Sequence, residues 1–266
     1  MKVYISADIE GVAGIAHWDE ARKNHGDYAE FREQMTREVA AACRGARAAG
    51  ATEILIKDAH ASGRNLLHRQ LPAGVRLIRG WSGHPLSMVQ ELDEGFAAVM
   101  MIGYHSPASS GANPLAHTMS SSRLARVELN GRVASEFLLH AHAAAGLGVP
   151  VVLVSGDEAL GVHVRETHPG ILTVASGRGV GASTVARHPD EVVEEIEARA
   201  REALAGDLSA RLLPLPETLT LRLRYKLAEL AYRASQFPGA VAVDDTAVEL
   251  VARDPLEMMR ALLFLA

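Results

Sequence analysis

The sequence predicts an α/β fold, a three-layer sandwich around a mainly parallel sheet, with a smaller C-terminal α+β unit. Three observations carry this. Short apolar runs recur at Lys2 to Ala7, Glu53 to Lys57, Ala97 to Gly103 and Pro150 to Ser155, and continuous apolar strands mark a parallel sheet buried on both faces. The first two runs are separated by a segment of helical period, the strand, helix, strand unit from which such sheets are built. Beyond Pro214-Leu215-Pro216 the pattern changes to an alternating strand, a short helix, two extended pieces and a closing helix, the order of a small α+β unit.

The elements follow in order. Lys2 to Ala7 is the first strand. Asp27 with Glu30 three residues on reads as a capping box, and Phe31, Met35, Val39, Cys43 and Ala46 form the apolar stripe of a helix that Gly50 stops. Glu53 to Lys57 is the second strand, Val75 to Arg79 a candidate third, Leu86 to Leu92 a short helix and Ala97 to Gly103 a further strand. Leu124 to Leu129 alternates in polarity and meets Asn130-Gly131, a hairpin signal. A helix is expected from about Ala134 to Ala145, with Glu136 in its first turn, then the strand Pro150 to Ser155. Residues 189 to 205 read as a helix with Pro189 at its first position and Val192, Val193, Ile196, Ala200 and Leu204 facing inward. The expected organisation is a catalytic α/β domain over residues 1–212 and a smaller α+β domain over residues 213–266.

Composition narrows the function classes. A net charge of −5 with no basic block argues against nucleic acid as a partner. No apolar stretch reaches the ~20 residues of a membrane span, and no basic segment followed by a long apolar one opens the chain, so a cytoplasmic location with no membrane partner is expected. The single cysteine, Cys43, lies on the apolar side of its helix and reads as a buried thiol.

The chemistry gathers where strands end. Ser6-Ala7-Asp8-Ile9-Glu10-Gly11 closes the first strand on two carboxylates spaced two apart, which in extended chain face the same way. The second strand empties into Asp58-Ala59-His60 and the Ala97 run into Tyr104-His105. Open α/β sheets bind ligands beyond the carboxyl ends of their strands, so Asp8, Glu10, His60 and His105 share one crevice if these strands are neighbours. That mixture of oxygen and nitrogen ligands suits zinc, with manganese or cobalt also accommodated. The competing reading gives the acids to helix caps and loops and the histidines to structure. His17, His25, His68, His84, His142, His163, His168 and His188 lack a strand-end context and are read as surface or helix residues. Gly177 to Ala182 lacks the full dinucleotide-loop spacing and reads as a tight turn, and Ser120 to Ser122 lack a nucleophile elbow.

These motifs together resemble the bacterial D-aminopeptidases of the dipeptide-operon type, which are binuclear zinc peptidases. The family's Ser-x-Asp-x-Glu-Gly signature stands at Ser6, Asp8, Glu10 and Gly11, its Asp-x-His at Asp58 and His60, its Gly-Tyr-His at Gly103, Tyr104 and His105, and its His-x-Met at His117 and Met119. The family's glutamate ligand after a hairpin corresponds to Glu136. The resemblance implies two zinc ions per chain, bridged by Asp8 and completed by Glu10, His60, His105 and Glu136, with His117 as the catalytic histidine. It also implies a homo-oligomer, a decamer of two stacked pentamers, acting on short peptides or aminoacyl amides. Around the glutamate the family reads Gly-Glu-x-Gly-x-Asn, whereas this chain has Ser135-Glu136-Phe137-Leu138-Leu139-His140. His140, one helical turn after Glu136, is either near the metal centre or substrate, or a hydrogen-bonded residue of the wall. Asp58 is either a partner that orients His60 or a loop cap.

The expected reaction is hydrolysis of an N-terminal residue by metal-activated water, with His117 moving a proton or steadying the intermediate. Two alternatives use the same residues: a metal-dependent amidohydrolase on a small non-peptide amide, and a non-catalytic α/β module that binds a metal or dipeptide.

Overall fold

A computed structural model describes residues 1–266. In chain order the regular elements are β1 (Lys2–Ala7), α1 (Trp18–Ala21), α2 (Tyr28–Ala48), β2 (Glu53–Asp58), β3 (Arg76–Ile78), β4 (Ala98–Tyr104), β5 (Leu124–Leu129), β6 (Arg132–Val133), α3 (Glu136–Gly146), β7 (Val151–Asp157), α4 (Glu158–Thr167), β8 (Leu172–Val180), β9 (Ser183–Ala186), α5 (Pro189–Ala203), β10 (Leu219–Tyr225), α6 (Ala228–Ala234), β11 (Ala240–Asp244), β12 (Ala247–Ala252) and α7 (Pro255–Leu265). The main sheet has the order β3-β2-β1-β4-β7-β8-β9 and is parallel except for β9. β1 is therefore paired on both sides, with β2 and β4, and the three strand ends expected to share a crevice are direct neighbours.

Alternation along β1 divides the core. Val3, Ile5 and Ala7 pack with Met35, Val39 and Cys43 of α2 and Val192, Ile196 and Ala200 of α5 on one face. Tyr4 turns to the other face, where Val99 and Met101 meet Leu139 of α3, Leu221 and Leu223 of β10 and Met258 of α7. Each buried aliphatic side chain contributes roughly 1.5–3 kcal/mol relative to exposure, so both faces must be covered. The layers are helices α2 and α5, the main sheet, and a second layer of α3, α4 and α7 with a smaller sheet.

That smaller sheet has the order β11-β12-β10-β5-β6 and is antiparallel. It takes the β5–β6 hairpin from before residue 213, with Leu129 opposite Leu221, so the C-terminal strands complete a sheet that the earlier segment begins. The Asn130-Gly131 turn has positive φ at both residues, 50° and 77°, as a tight hairpin requires.

Some local expectations differ from the structure. Asp27 occupies the N-cap of α2 but its side chain makes no cap hydrogen bond, because its backbone is already helical (φ −75°, ψ −16°). The segment Leu86 to Leu92 contains a single 3-10 turn, Ser87–Val89. The helices α1 and α4 and the strands β8 and β9 carry little sequence signal. β8 includes Ala175, Ser176, Gly177 and Gly179, small residues where backbones approach closely: the Gly179 N–H donates to the Ala112 carbonyl at 2.7 Å, and a Cβ on Gly177 would lie 2.7 Å from the Val185 oxygen. Cys43 is buried and free, and burial pushes its thiol up to about 12.

Candidate metal centre

The strand ends are locked together by residues of the motifs themselves. The Tyr104 hydroxyl of β4 donates to Ser6 Oγ of β1 at 2.7 Å, and Ser6 in turn donates to the Met88 carbonyl at 2.7 Å. Beyond β1 the chain continues along β4, with the Asp8 N–H on the Ile102 carbonyl and the Gly11 N–H on the Gly103 carbonyl, both at 2.8 Å. This approach needs glycine. A Cβ on Gly11 would lie 1.7 Å from the Tyr104 oxygen, and one on Gly103, whose φ is +74°, would lie 2.3 Å from the Asp8 oxygen. The glycines of both motifs thus set Asp8 and Glu10 beside His105.

Two groups of candidate ligands result, Asp8 with Glu10 and His60, and His105 with His117 and Glu136. Asp8 faces both groups. Its Oδ1 lies 3.4 Å from His60 Nδ1 and its Oδ2 lies 3.6 Å from His105 Nε2. Glu10 Oε2 lies 3.0 Å from His60 Nδ1, and Glu136 lies 3.4 Å from His105 Nε2 and 3.5 Å from His117 Nε2. All except His117 are buried, and His117 is only slightly exposed.

Each imidazole has one nitrogen committed to the backbone. His60 Nε2 donates to the Ala21 carbonyl at 2.8 Å, His105 Nδ1 to the Ser106 carbonyl at 2.9 Å and His117 Nδ1 to the Leu115 carbonyl at 3.0 Å. These bonds fix the tautomers and aim the remaining nitrogen of every ring at carboxylates. A lone pair facing a carboxylate at 3.0–3.6 Å is repulsive unless a cation stands between them. Glu10 Oε2 and His105 Nε2 are buried without a hydrogen-bond partner of good geometry, so the donor set fits a metal.

Without a metal, protons take that place. Burial opposes a charged imidazole at His60, but Glu10 and Asp8 outweigh it and raise it well above its ordinary value. Burial likewise opposes charge on His105, and Glu136, Glu10 and Asp8 hold it up at about 10. Burial favours a neutral Glu136, yet His105 and His117 pull it down to about 2, and His60 holds Glu10 well below the carboxylate range. Asp8 is raised well above its ordinary value by burial and by the charge of Glu10. Negative charge concentrated among buried imidazoles is the signature of a cation site.

The two remaining sequence candidates lie outside these groups. The Asp58 carboxylate accepts from the Asn65 N–H at 2.6 Å, the Asn65 side-chain amide at 2.7 Å and the Leu66 N–H at 2.7 Å, and the same amide donates to the His60 carbonyl at 2.7 Å. Asp58 caps the loop that carries His60 and does not touch its ring. His140 is fully buried, its Nδ1 donating to the Glu136 carbonyl at 2.7 Å, and it does not line the cavity above the ligand groups.

That cavity, about 690 Å³, has Asp8, Glu10, His60, His117 and Glu136 at its floor and both tryptophans of the chain, Trp18 and Trp81, in its walls. His25 and His84, expected from sequence to be surface or helix residues, also line it. Sequence reading passed over Asp157 as well. Its carboxylate accepts from the Ser106 N–H and hydroxyl at 2.6 and 2.5 Å and from the Asn113 amide at 3.2 Å, while that amide also donates to the Glu10 carbonyl at 2.9 Å. The visible signal was its place at the end of a fourth apolar strand.

The D-aminopeptidase family of peptidases matches residues 1–264 of the chain. A D-aminopeptidase of Bacillus subtilis (strain 168) is 29% identical over 265 residues, covering 99% of this chain and 96% of its own. A solved structure described as the Zn-dependent D-aminopeptidase DppA from Bacillus subtilis, a self-compartmentalizing protease, superposes with a TM-score of 0.92 at 28% identity, covering 100% of this chain and 96% of the other.

Proposed function

Since the chain belongs to the D-aminopeptidase family, we propose that it is a zinc-dependent aminopeptidase that removes the N-terminal residue of short peptides or aminoacyl amides, D-residue-containing ones included. The observation that carries the reading is Asp8, whose two oxygens face imidazoles of two separate ligand groups. Asp8, Glu10 and His60 would hold one zinc ion, and His105 and Glu136, with Asp8 reaching across to them, a second, leaving His117 of that group for the reaction. Bound by these residues, zinc would supply Lewis acidity, enough to polarise a carbonyl and to lower the pKa of water toward about 7.

The chain's own residues do the rest. The Ala21 and Ser106 carbonyls each accept from the outer ring nitrogen and so aim His60 Nδ1 and His105 Nε2 inward, where a bound metal would take the place of the proton. Met119 donates its N–H to Glu136 Oε1 at 2.7 Å, which fixes that carboxylate and leaves Oε2 facing His105. His117 is the catalytic residue of this reading. With Nδ1 held by Leu115, its Nε2 is the atom that accepts a proton from the attacking water and returns it to the leaving amine. Asp8, Glu10, His60 and Glu136 are buried at the floor, which strengthens the charge interactions among them.

The proposal includes self-association into a decamer of two stacked pentamers that encloses the sites. Phe264 is 70% exposed and stacks on Phe237, and the exposed Leu263 beside it also lines the cavity, so apolar surface adjoins the mouth. The mass in solution is expected to be several-fold that of one chain. The test of function is a panel of D- and L-aminoacyl amides and dipeptides with zinc-loaded protein. Release of the N-terminal residue is the expected result. Hydrolysis confined to non-peptide amides would move the assignment to a metal-dependent amidohydrolase.

A further inference from the structure

The cavity has an acidic floor and a basic rim. Asp8, Glu10 and Glu136 lie buried at its base, whereas Arg22 and Lys23 line its exposed edge immediately after α1. Such a gradient suits a molecule that is cationic at one end and anionic at the other, as a peptide with free termini is.

Arg22 is held over the mouth by a ladder of rings. The Trp18 ring centroid lies 5.3 Å from that of His117, and the Arg22 guanidinium carbon lies 5.6 Å from the Trp18 ring. Stacking on this half-buried indole contributes about 0.5–1 kcal/mol or somewhat more and leaves the guanidinium's five N–H donors free. The two acids of the same short helix are engaged elsewhere, Asp19 facing His17 and His25 at 3.4 and 3.2 Å and Glu20 accepting from the Ala16 and His17 N–H groups at 2.6 and 2.9 Å, and Arg22 forms no ion pair. Extended peptide advances about 3.3–3.6 Å per residue, and each step of the ladder, 5.3 Å from His117 to Trp18 and 5.6 Å from Trp18 to Arg22, is within two such residues, which puts the guanidinium in range of a carboxylate a short way past a bond held at His117. Its planar fork matches a carboxylate with two parallel hydrogen bonds.

We propose that Arg22, laid over Trp18, binds the C-terminal carboxylate of the substrate, which makes dipeptides and tripeptides with a free carboxyl end the preferred class; this rests on the aminopeptidase reading. The experiment is steady-state kinetics of zinc-loaded protein on a dipeptide and its C-terminal amide, in D and L series. The wild type is expected to favour the acid over the amide by roughly tenfold or more in kcat/KM, the worth of a charge-assisted hydrogen bond. Arg22→Met should bring that ratio close to one, chiefly through KM for the acid, and Arg22→Lys should restore part of it. Equal turnover of acid and amide by the wild type, or an unchanged ratio in Arg22→Met, overturns the proposal while leaving the aminopeptidase reading intact. Failure to hydrolyse either compound in both series removes the two together.

Discussion

His105 and His117 stack face to face, with ring centroids 4.4 Å apart and planes 14° from parallel. Both present Nε2 to Glu136, yet they differ in burial and in company. His105 is enclosed and also faces Asp8, whereas His117 borders the cavity and touches Trp18. The pair thus divides into a residue suited to hold a metal and one suited to meet a substrate.

His117→Ala tests that division. The variant should keep its zinc and lose about 10²-fold or more in turnover, the usual worth of a positioned acid–base group. Metal analysis beside kinetics checks it, and loss of zinc would make His117 a ligand instead.

Asp58→Asn tests the loop cap. The amide would set an N–H₂ against the donors of Asn65 and Leu66, so the loop carrying His60 should loosen. Zinc affinity is expected to fall about 10–100-fold, as for other residues that support a ligand. Zinc titration against a competing chelator measures it, and an unchanged affinity would show that the cap is dispensable.

Glu38 gives a pH prediction away from the ligands. Burial pushes its carboxyl from 4.5 to about 7, although the Ala13 N–H and the Gln34 amide hydrogen-bond to it. Between those values the folded chain holds a proton that the unfolded chain has lost, so this group lowers stability as pH rises from about 4.5 to 7. Glu38→Gln keeps the acceptor and removes the titration. Melting of both proteins at matched zinc content should be similar near pH 5, with the variant the more stable near pH 8 by no more than about 3 kcal/mol. A difference that does not grow with pH would contradict the account.

Much of this was legible in the sequence because the decisive signals are local. Apolar strands ending in Asp8, His60 and His105 fixed both the parallel sheet and the crevice, and the structure makes those strands neighbours. The glycines at 11 and 103 were visible as motif letters, but their reason is a backbone contact between β1 and β4, which only three dimensions reveal. Asp157, Asn113 and Ser106 were hidden for the same cause, since they meet across up to 51 residues of chain. Trp18 and Arg22 sit on a four-residue helix too short to leave a period. The alternation of Thr218 to Arg224 marks a strand in the sequence, whereas the pairing of β10 with β5 is long-range and leaves no local signal.

The most direct test of the two-group centre is the zinc content of Asp8→Ala measured beside the wild type. Because Asp8 alone faces both groups, the wild type should bind about two zinc ions per chain and the variant should lose at least one of them together with its hydrolytic activity. An Asp8→Ala protein that retains both ions and turns over normally would contradict the account.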